Sequence, residues 1–71
     1  MTEPVITEIR KLSAIATDMA LSGGMRSNAI KDMGKIGTHD ALLSLLELAA
    51  NAKLNPGERK LALKQAERII K

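Results

Sequence analysis

VITEIRKLSAIATDMALSGGMRSNAIKDMGKIG, residues 5–37, lies against THDALLSLLELAANAKLNPGERKLALKQAERII, residues 38–70, without a gap. In that register Leu12, Ala16, Leu21, Gly24, Arg26, Ala29 and Lys31 meet Leu45, Ala49, Leu54, Gly57, Arg59, Ala62 and Lys64. Apolar positions also meet apolar ones at Ile9/Leu42, Ile15/Leu48, Ile30/Leu63 and Ile36/Ile69, and basic meets basic at Lys35/Arg68. Self-similarity at a shift of 33 residues is the mark of a helical repeat, whose units bury their apolar faces by stacking on one another. The chain therefore reads as one domain, residues 1–71, made of two copies at 5–37 and 38–70.

Each copy reads as a pair of helices. Val5, Ile9, Leu12, Ala16 and Met19 recur at the spacing of one helix face. Thr2 is placed to cap that helix and Gly23-Gly24 to end it. Met25, Ala29, Met33 and Ile36 repeat the pattern up to Gly37. Thr38 opens a third helix with its core face on Leu42, Leu45, Leu46 and Ala49. Asn55-Pro56-Gly57-Glu58 is the strongest start signal: a capping side chain, Pro at the first helical position, and Glu three residues after the cap. A fourth helix follows on Ala62, Ala66 and Ile69. The expectation is an all-α fold with helices near 3–21, 25–36, 39–53 and 56–70, neighbours antiparallel across short loops, and no strand.

The differences between the copies also carry information. Arg10, Ser13 and Thr17 become Leu43, Leu46 and Ala50, so the third helix is apolar around more than half its circumference, as suits a helix sandwiched between neighbours. The first helix keeps a polar outer side, as suits the end of a stack.

Residues 25–49, MRSNAIKDMGKIGTHDALLSLLELA, followed by residues 58–69, ERKLALKQAERI, resemble a HEAT-like repeat of the variety found in phycobilin lyases. The likeness lies in an Arg opening the helix, Ala three residues on, and the close Met33-Gly34-Lys35-Ile36-Gly37 before a leucine-rich helix. It covers most of residues 5–70. The chain departs from the family pattern at Thr38-His39, where Asp-Pro is usual, and at Ser27-Asn28, where Ala is favoured. The resemblance implies a short α-solenoid whose second helices line a concave surface used by partners. On this chain that surface is a mixed-charge strip: Thr7, Lys11 and Asp18 of the first helix, with Asp40, Ser44, Glu47 and Asn51 of the third.

Composition narrows the chemistry. The chain has 45% hydrophobic and 27% charged residues, which is globular rather than disordered. It contains no Cys, which excludes disulfides, thiolate metal sites and Cys nucleophiles and fits a cytoplasmic protein. It contains no aromatic residue, so base-stacking platforms and Trp or Tyr interface anchors are missing. The start, MTEPVITEIRK, holds no signal-peptide run, and no stretch has the apolar length of a membrane span. His39 is the single histidine and has no nucleophile or metal-ligand cluster patterned around it; a solvated role is its plain reading. The glycine pairs lack the spacing of phosphate or dinucleotide loops, and the Gly34–Gly37 spacing is one residue too long for a helix-hairpin-helix DNA motif. No catalysis, cofactor, metal or small-molecule substrate is expected.

Three surfaces remain as candidates. The first is the strip just named. The second is a basic face on the fourth helix, Lys60, Lys64, Arg68 and Lys71, which reads as a solvated face or, failing that, as a phosphate-contacting one. With acids on the third helix, it makes the molecule electrostatically two-faced. The third is an apolar end, Leu63, Ala66, Ile69 and Ile70. About three repeats are usually needed to close such a stack, and two are present, so this end is expected to meet a second copy in a dimer or another protein. The repeated pair Arg26 and Arg59 reads as structural, with stems on the adjoining helix and guanidinium groups on loop carbonyls.

Overall fold

The computed structural model describes residues 4–70, with side chains from residue 7 onward. Those residues form α1 (Pro4–Ala16), α2 (Gly23–Ile36), α3 (His39–Ala49) and α4 (Pro56–Ile70), with no strand among them. The fold is all-α, as the periodicity requires. The proposed cap Thr2 lies outside the described residues. Helices α2 and α3 are central: α2 packs on α1, α3 and α4, and α3 on α1, α2 and α4, whereas α1 and α4 do not meet. No described helix is long and apolar enough to cross a membrane.

The helix starts follow their sequence signals. The Thr38 hydroxyl accepts from the Ala41 amide at 3.2 Å. Asn55 Oδ1 accepts from the Glu58 amide at 2.8 Å, and Glu58 Oε1 reaches back to the Asn55 amide at 3.4 Å, which is a reciprocal capping box. Gly37 ends α2 in the left-handed region (φ 69°), a conformation that carries little strain only without a Cβ, and its amide bonds to the Met33 carbonyl.

Two helix ends differ from expectation. The first helix stops at Ala16 rather than near residue 21, and the third at Ala49 rather than near residue 53. Gly23-Gly24 do not end a helix; they open α2 behind the N-cap Ser22, whose hydroxyl accepts from Met25 N at 3.2 Å. The stop is made by Asx chemistry. Asp18 Oδ1 accepts from Ala20 N at 2.9 Å, and Asn51 Oδ1 accepts from Lys53 N at 2.9 Å, so each side chain supplies an alternative to the next helical turn. Leu21 N then bonds to Asp18 O, as Leu54 N does to Asn51 O, both at 3.1 Å.

The core is built where the helical spacing places it. Ile9, Ala16, Ala29, Met33, Leu45, Ala62 and Ala66 are buried together with Ile30, Ala41, Leu48 and Leu54. Of the other expected core residues, Leu12, Ile36, Leu42, Ala49 and Ile69 are half-buried against it, the side chain of Val5 lies outside the described residues, and three are exposed. Met19 (48% exposed) lies in the loop beyond the true end of α1. Met25 (51%) is in the first turn of α2 and half open to solvent. Leu46 is also exposed, and Leu43 with it: the neighbours of α3 cover Ala41, Leu45 and Leu48 and leave its second apolar side open. The third helix is thus only partly sandwiched. The α1 end of the molecule is not polar throughout either, since Ile15 is exposed there.

Candidate interaction surfaces

The geometry turns on one turn of helix that occurs twice. After the loop 17–22, Arg26 stands in the first turn of α2; after the loop 50–55, Arg59 stands in the first turn of α4. Arg26 Nη1 donates to the Leu21 carbonyl, and Arg59 Nε donates to the Ala49 carbonyl at 2.9 Å, so both tie down chain that has left a helix or is leaving it. That was the role suggested by their repeated position.

Arg26 does more. Its Nε donates to Glu58 Oε2 at 3.0 Å and its Nη2 lies 2.9 Å from the same oxygen. The side chains are only 12% and 5% exposed, so this ion pair is largely withdrawn from water. Removing one partner of such a pair leaves an uncompensated charge, which is much costlier than losing a surface pair. Gly23 lies alongside it: a Cβ there would stand 3.4 Å from Glu58 Oε2, at ordinary contact distance. Sequence reasoning placed Glu58 only as a cap; the signal it passed over was that the other copy has Met25 at this position, a charge against an apolar residue in otherwise matched turns.

A second close approach joins α2 to α4. A Cβ on Gly34 would lie 2.0 Å from Gln65 Oε1 and 3.1 Å from Gln65 Cβ, so Gln65, itself buried, crosses α2 where Gly34 has no side chain.

Of the expected mixed-charge strip, five members stand on α1 and α3 and two do not. Lys11, Asp40 and Glu47 are exposed on α1 and α3, as is Thr7, and Ser44 is half-buried. Asp18 and Asn51 lie beyond the helix ends, with side chains engaged in the loop turns just described. On the basic face, Lys60, Lys64 and Arg68 are exposed on α4, and Lys71 lies outside the described residues. Of the apolar quartet, Leu63 (44%) and Ile70 (66%) are exposed. Ala66 is fully buried and Ile69 packs against the core, because that side of α4 faces its neighbouring helices. His39 is exposed at the start of α3.

Shallow grooves also mark the surface. One, of about 290 Å³, is lined by Ala49, Pro56, Arg59, Lys60 and Leu63, at the junction of α3 and α4. Two lie across α1 and α2: about 320 Å³ between Glu8, Lys11, Leu12, Asp32 and Ile36, and about 220 Å³ between Leu12, Ile15, Met25, Asn28, Ala29 and Asp32. Both have Leu12 and Asp32 in their lining, so the α1–α2 side presents two neighbouring apolar grooves edged by charged side chains. Sequence reasoning did not single them out: Met25 has the spacing of a core residue, and Ile15 was marked only by its match to Leu48 in the other copy. Among the described residues no three His, Asp or Glu side chains gather as a metal site. Compared with protein-family models, curated proteins and solved structures, the chain matches none.

Proposed function

We propose that this chain is a non-catalytic protein-interaction module, a short HEAT-like array of two helix pairs that docks a helix or peptide of another protein, or a second copy of itself, on its exposed helical surface in the cytoplasm. The observation that carries the reading is the set of large apolar side chains left exposed: Ile15, Met19, Met25, Leu43, Leu46, Leu63 and Ile70. Isolated exposed apolar residues need no explanation, but Ile15 and Met25 share one groove. Leu43 and Leu46 stand one turn apart on α3, and Leu63 lines a groove with Ala49. Apolar troughs edged by charge are where amphipathic helices dock.

A photo-cross-linking residue placed at Leu63 or at Met25, in the cells that make the protein, tests the reading. Discrete, protease-sensitive adducts are expected; adducts at neither position would sink it.

The exposed row Lys60, Lys64 and Arg68 favours a second reading, nucleic-acid binding along α4. Phosphate-dominated binding falls steeply with salt as counterions are released. Replacing Lys60, Lys64, Arg68 and Lys71 together by Gln would abolish it. Little oligonucleotide binding is expected from the unmodified chain at physiological salt, and tight, salt-sensitive binding would reverse the order of the two readings.

A further inference from the structure

The ion pair inside the molecule describes what belongs in a groove on its surface. Five positions of the first helix pair, Ala16, Gly23, Arg26, Ser27 and Ile30, stand 33 residues before Ala49, Pro56, Arg59, Lys60 and Leu63. The second set lines the 290 Å³ groove. The first set is occupied: Ala16 and Ile30 are wholly buried, and the carboxylate of Glu58 rests on Arg26 against Gly23. The local backbone around both sets is the same. Arg26 N bonds to Ser22 O as Arg59 N does to Asn55 O, and Asp18 N bonds to Ile15 O as Asn51 N does to Leu48 O. What differs is the cover. In the second set Leu63 is exposed, and among the described residues Arg59 has no carboxylate at ion-pair distance.

From this correspondence we infer that the groove at Ala49, Pro56, Arg59, Lys60 and Leu63 is a docking site for an acidic, amphipathic helix of another protein. That helix sets a first-turn carboxylate on Arg59 and its following apolar residues on Leu63. The inference rests on the interaction reading above and gives it a place and a partner chemistry. Arg59 Nε is already held by the Ala49 carbonyl, which fixes the guanidinium within the groove's lining, and its Nη groups have no partner among the described residues. Lys60 adds a second positive charge beside it. An arriving carboxylate gains a charge-assisted contact, and burial of Leu63 supplies the apolar share.

A second copy stacked in the internal register does not fit. Its α1–α2 side would offer Met25 where Glu58 stands and Asp32 where Gln65 stands. Asp32 would then face Glu67, which occupies the position of Gly34, where even a Cβ is too close to Gln65. An acid against an acid, in a space that needs glycine, opposes growth of the stack by its own copies.

The test is selection from a displayed library of helical peptides of about 20 residues, randomised on one face, against the chain; affinities are then measured on variants whose helicity is checked by circular dichroism. Enriched peptides are expected to carry Asp or Glu in the first turn and apolar residues three, four and seven positions later. Arg59→Gln and, independently, Leu63→Asp should each weaken them by roughly tenfold or more, while Met25→Asp at the far groove leaves them unchanged. Leu63 is exposed, so its substitution reports the groove without removing the bond from Arg59 to Ala49. Changing the peptide's acid to its amide should cost far less in the Arg59→Gln background than in the parent. Peptides without an acid preference, or held equally by both variants, would overturn the inference. So would a dimer of the chain at ~100 μM that Leu63→Asp dissolves, or oligonucleotides that compete the peptides off. Peptides lost only to Met25→Asp would overturn it and leave the interaction reading standing. A selection that enriches nothing would count against both.

Discussion

Arg26 and Arg59 follow loops of the same construction, and only Arg26 is buried against a carboxylate. Between the two turns the capping side chain changes from Ser22 to Asn55, and the residue before the arginine changes from Met25 to Glu58. The consequence falls on the neighbouring unit rather than on the unit that carries the change: Glu58 caps its own helix and neutralises Arg26 on the other. A residue's environment is thus set by what covers it as much as by its own turn. Ile30, at 0% exposure, and Leu63, at 44%, show the same thing in apolar terms.

The largest expected effect tests the charged half of that comparison. Arg26→Ala leaves Glu58 buried with no counter-charge, which costs about 3–5 kcal/mol, a large share of the ~5–10 kcal/mol that holds a chain of this size together. Arg59→Ala removes one hydrogen bond to a carbonyl and is expected to cost about 1 kcal/mol. Replacing the pair together, Arg26→Met with Glu58→Leu, should be milder than Arg26→Ala alone. Urea denaturation of the variants reads all of this. Equal losses at Arg26 and Arg59 would mean that the ion pair contributes nothing that the carbonyl contact does not.

The apolar half follows at slightly smaller magnitude. Ile30→Ala empties a fully covered site and should cost about 3 kcal/mol, whereas Leu63→Ala, half in water already, should cost under about 1 kcal/mol. If the two losses are alike, Leu63 is covered in solution, and a concentration-dependent midpoint would identify the cover as a second copy.

The loops supply a contrast in which no difference is expected. Asp18 and Asn51 make the same bond to the amide two residues on, so Asp18→Ala and Asn51→Ala should each cost about 0.5–1 kcal/mol. A large disparity would show that one loop is held by something other than its Asx turn.

These residues also mark what was legible beforehand. The four helices, the caps at Thr38 and Asn55, the stop at Gly37 and the buried positions Ile9, Ala29, Met33, Leu45, Ala62 and Ala66 were all written in local signals: hydrogen-bonding side chains at helix starts, glycine, and apolar spacing. The ends of α1 and α3 were not, because Met19 and Leu21 carry the apolar period past Asp18, and an Asx turn is no louder in a sequence than any solvated polar residue. Exposure was harder still. Met25 and Leu46 have core spacing, and their exposure depends on which helix lies beside them, whereas Leu63 and Ile70 were already expected on an uncovered apolar end. Asp18 and Asn51 fall outside the candidate strip for the same reason that α1 and α3 end early, since both side chains are engaged in the loop turns. The groove at Arg59 was legible only in pieces, as a basic stripe and an apolar stripe, until the position of Arg26 showed how one turn combines them.

The smallest expected effect is the one whose sign is most informative. Gly34 and Glu67 stand in the same register, one beneath Gln65 and the other exposed. In a helix interior, Gly→Ala is worth about 1 kcal/mol of stabilisation through backbone entropy alone. At Gly34 the new Cβ meets Gln65 Oε1 at 2.0 Å and Gln65 Cβ at 3.1 Å. Gln65 is buried, so its Oε1 and its Cδ, which would lie 2.9 Å from the new Cβ, have little free space to swing into, and repacking that side chain costs the ~1–3 kcal/mol typical of overpacking, with the Gln65 Cβ contact the smaller share. The strain outweighs the entropy, and Gly34→Ala should be destabilising by about 1 kcal/mol net. In a Gln65→Ala background most of the clash is gone, and the same substitution should be neutral or stabilising, giving a coupling of about 1 kcal/mol between the two positions. Glu67→Ala, with no helix above it, should change stability by less than ~0.5 kcal/mol in either background. If Gly34→Ala costs the same with and without the Gln65 side chain, then the approach of α2 to α4 is set by the backbones, and Gln65 only fills what they leave.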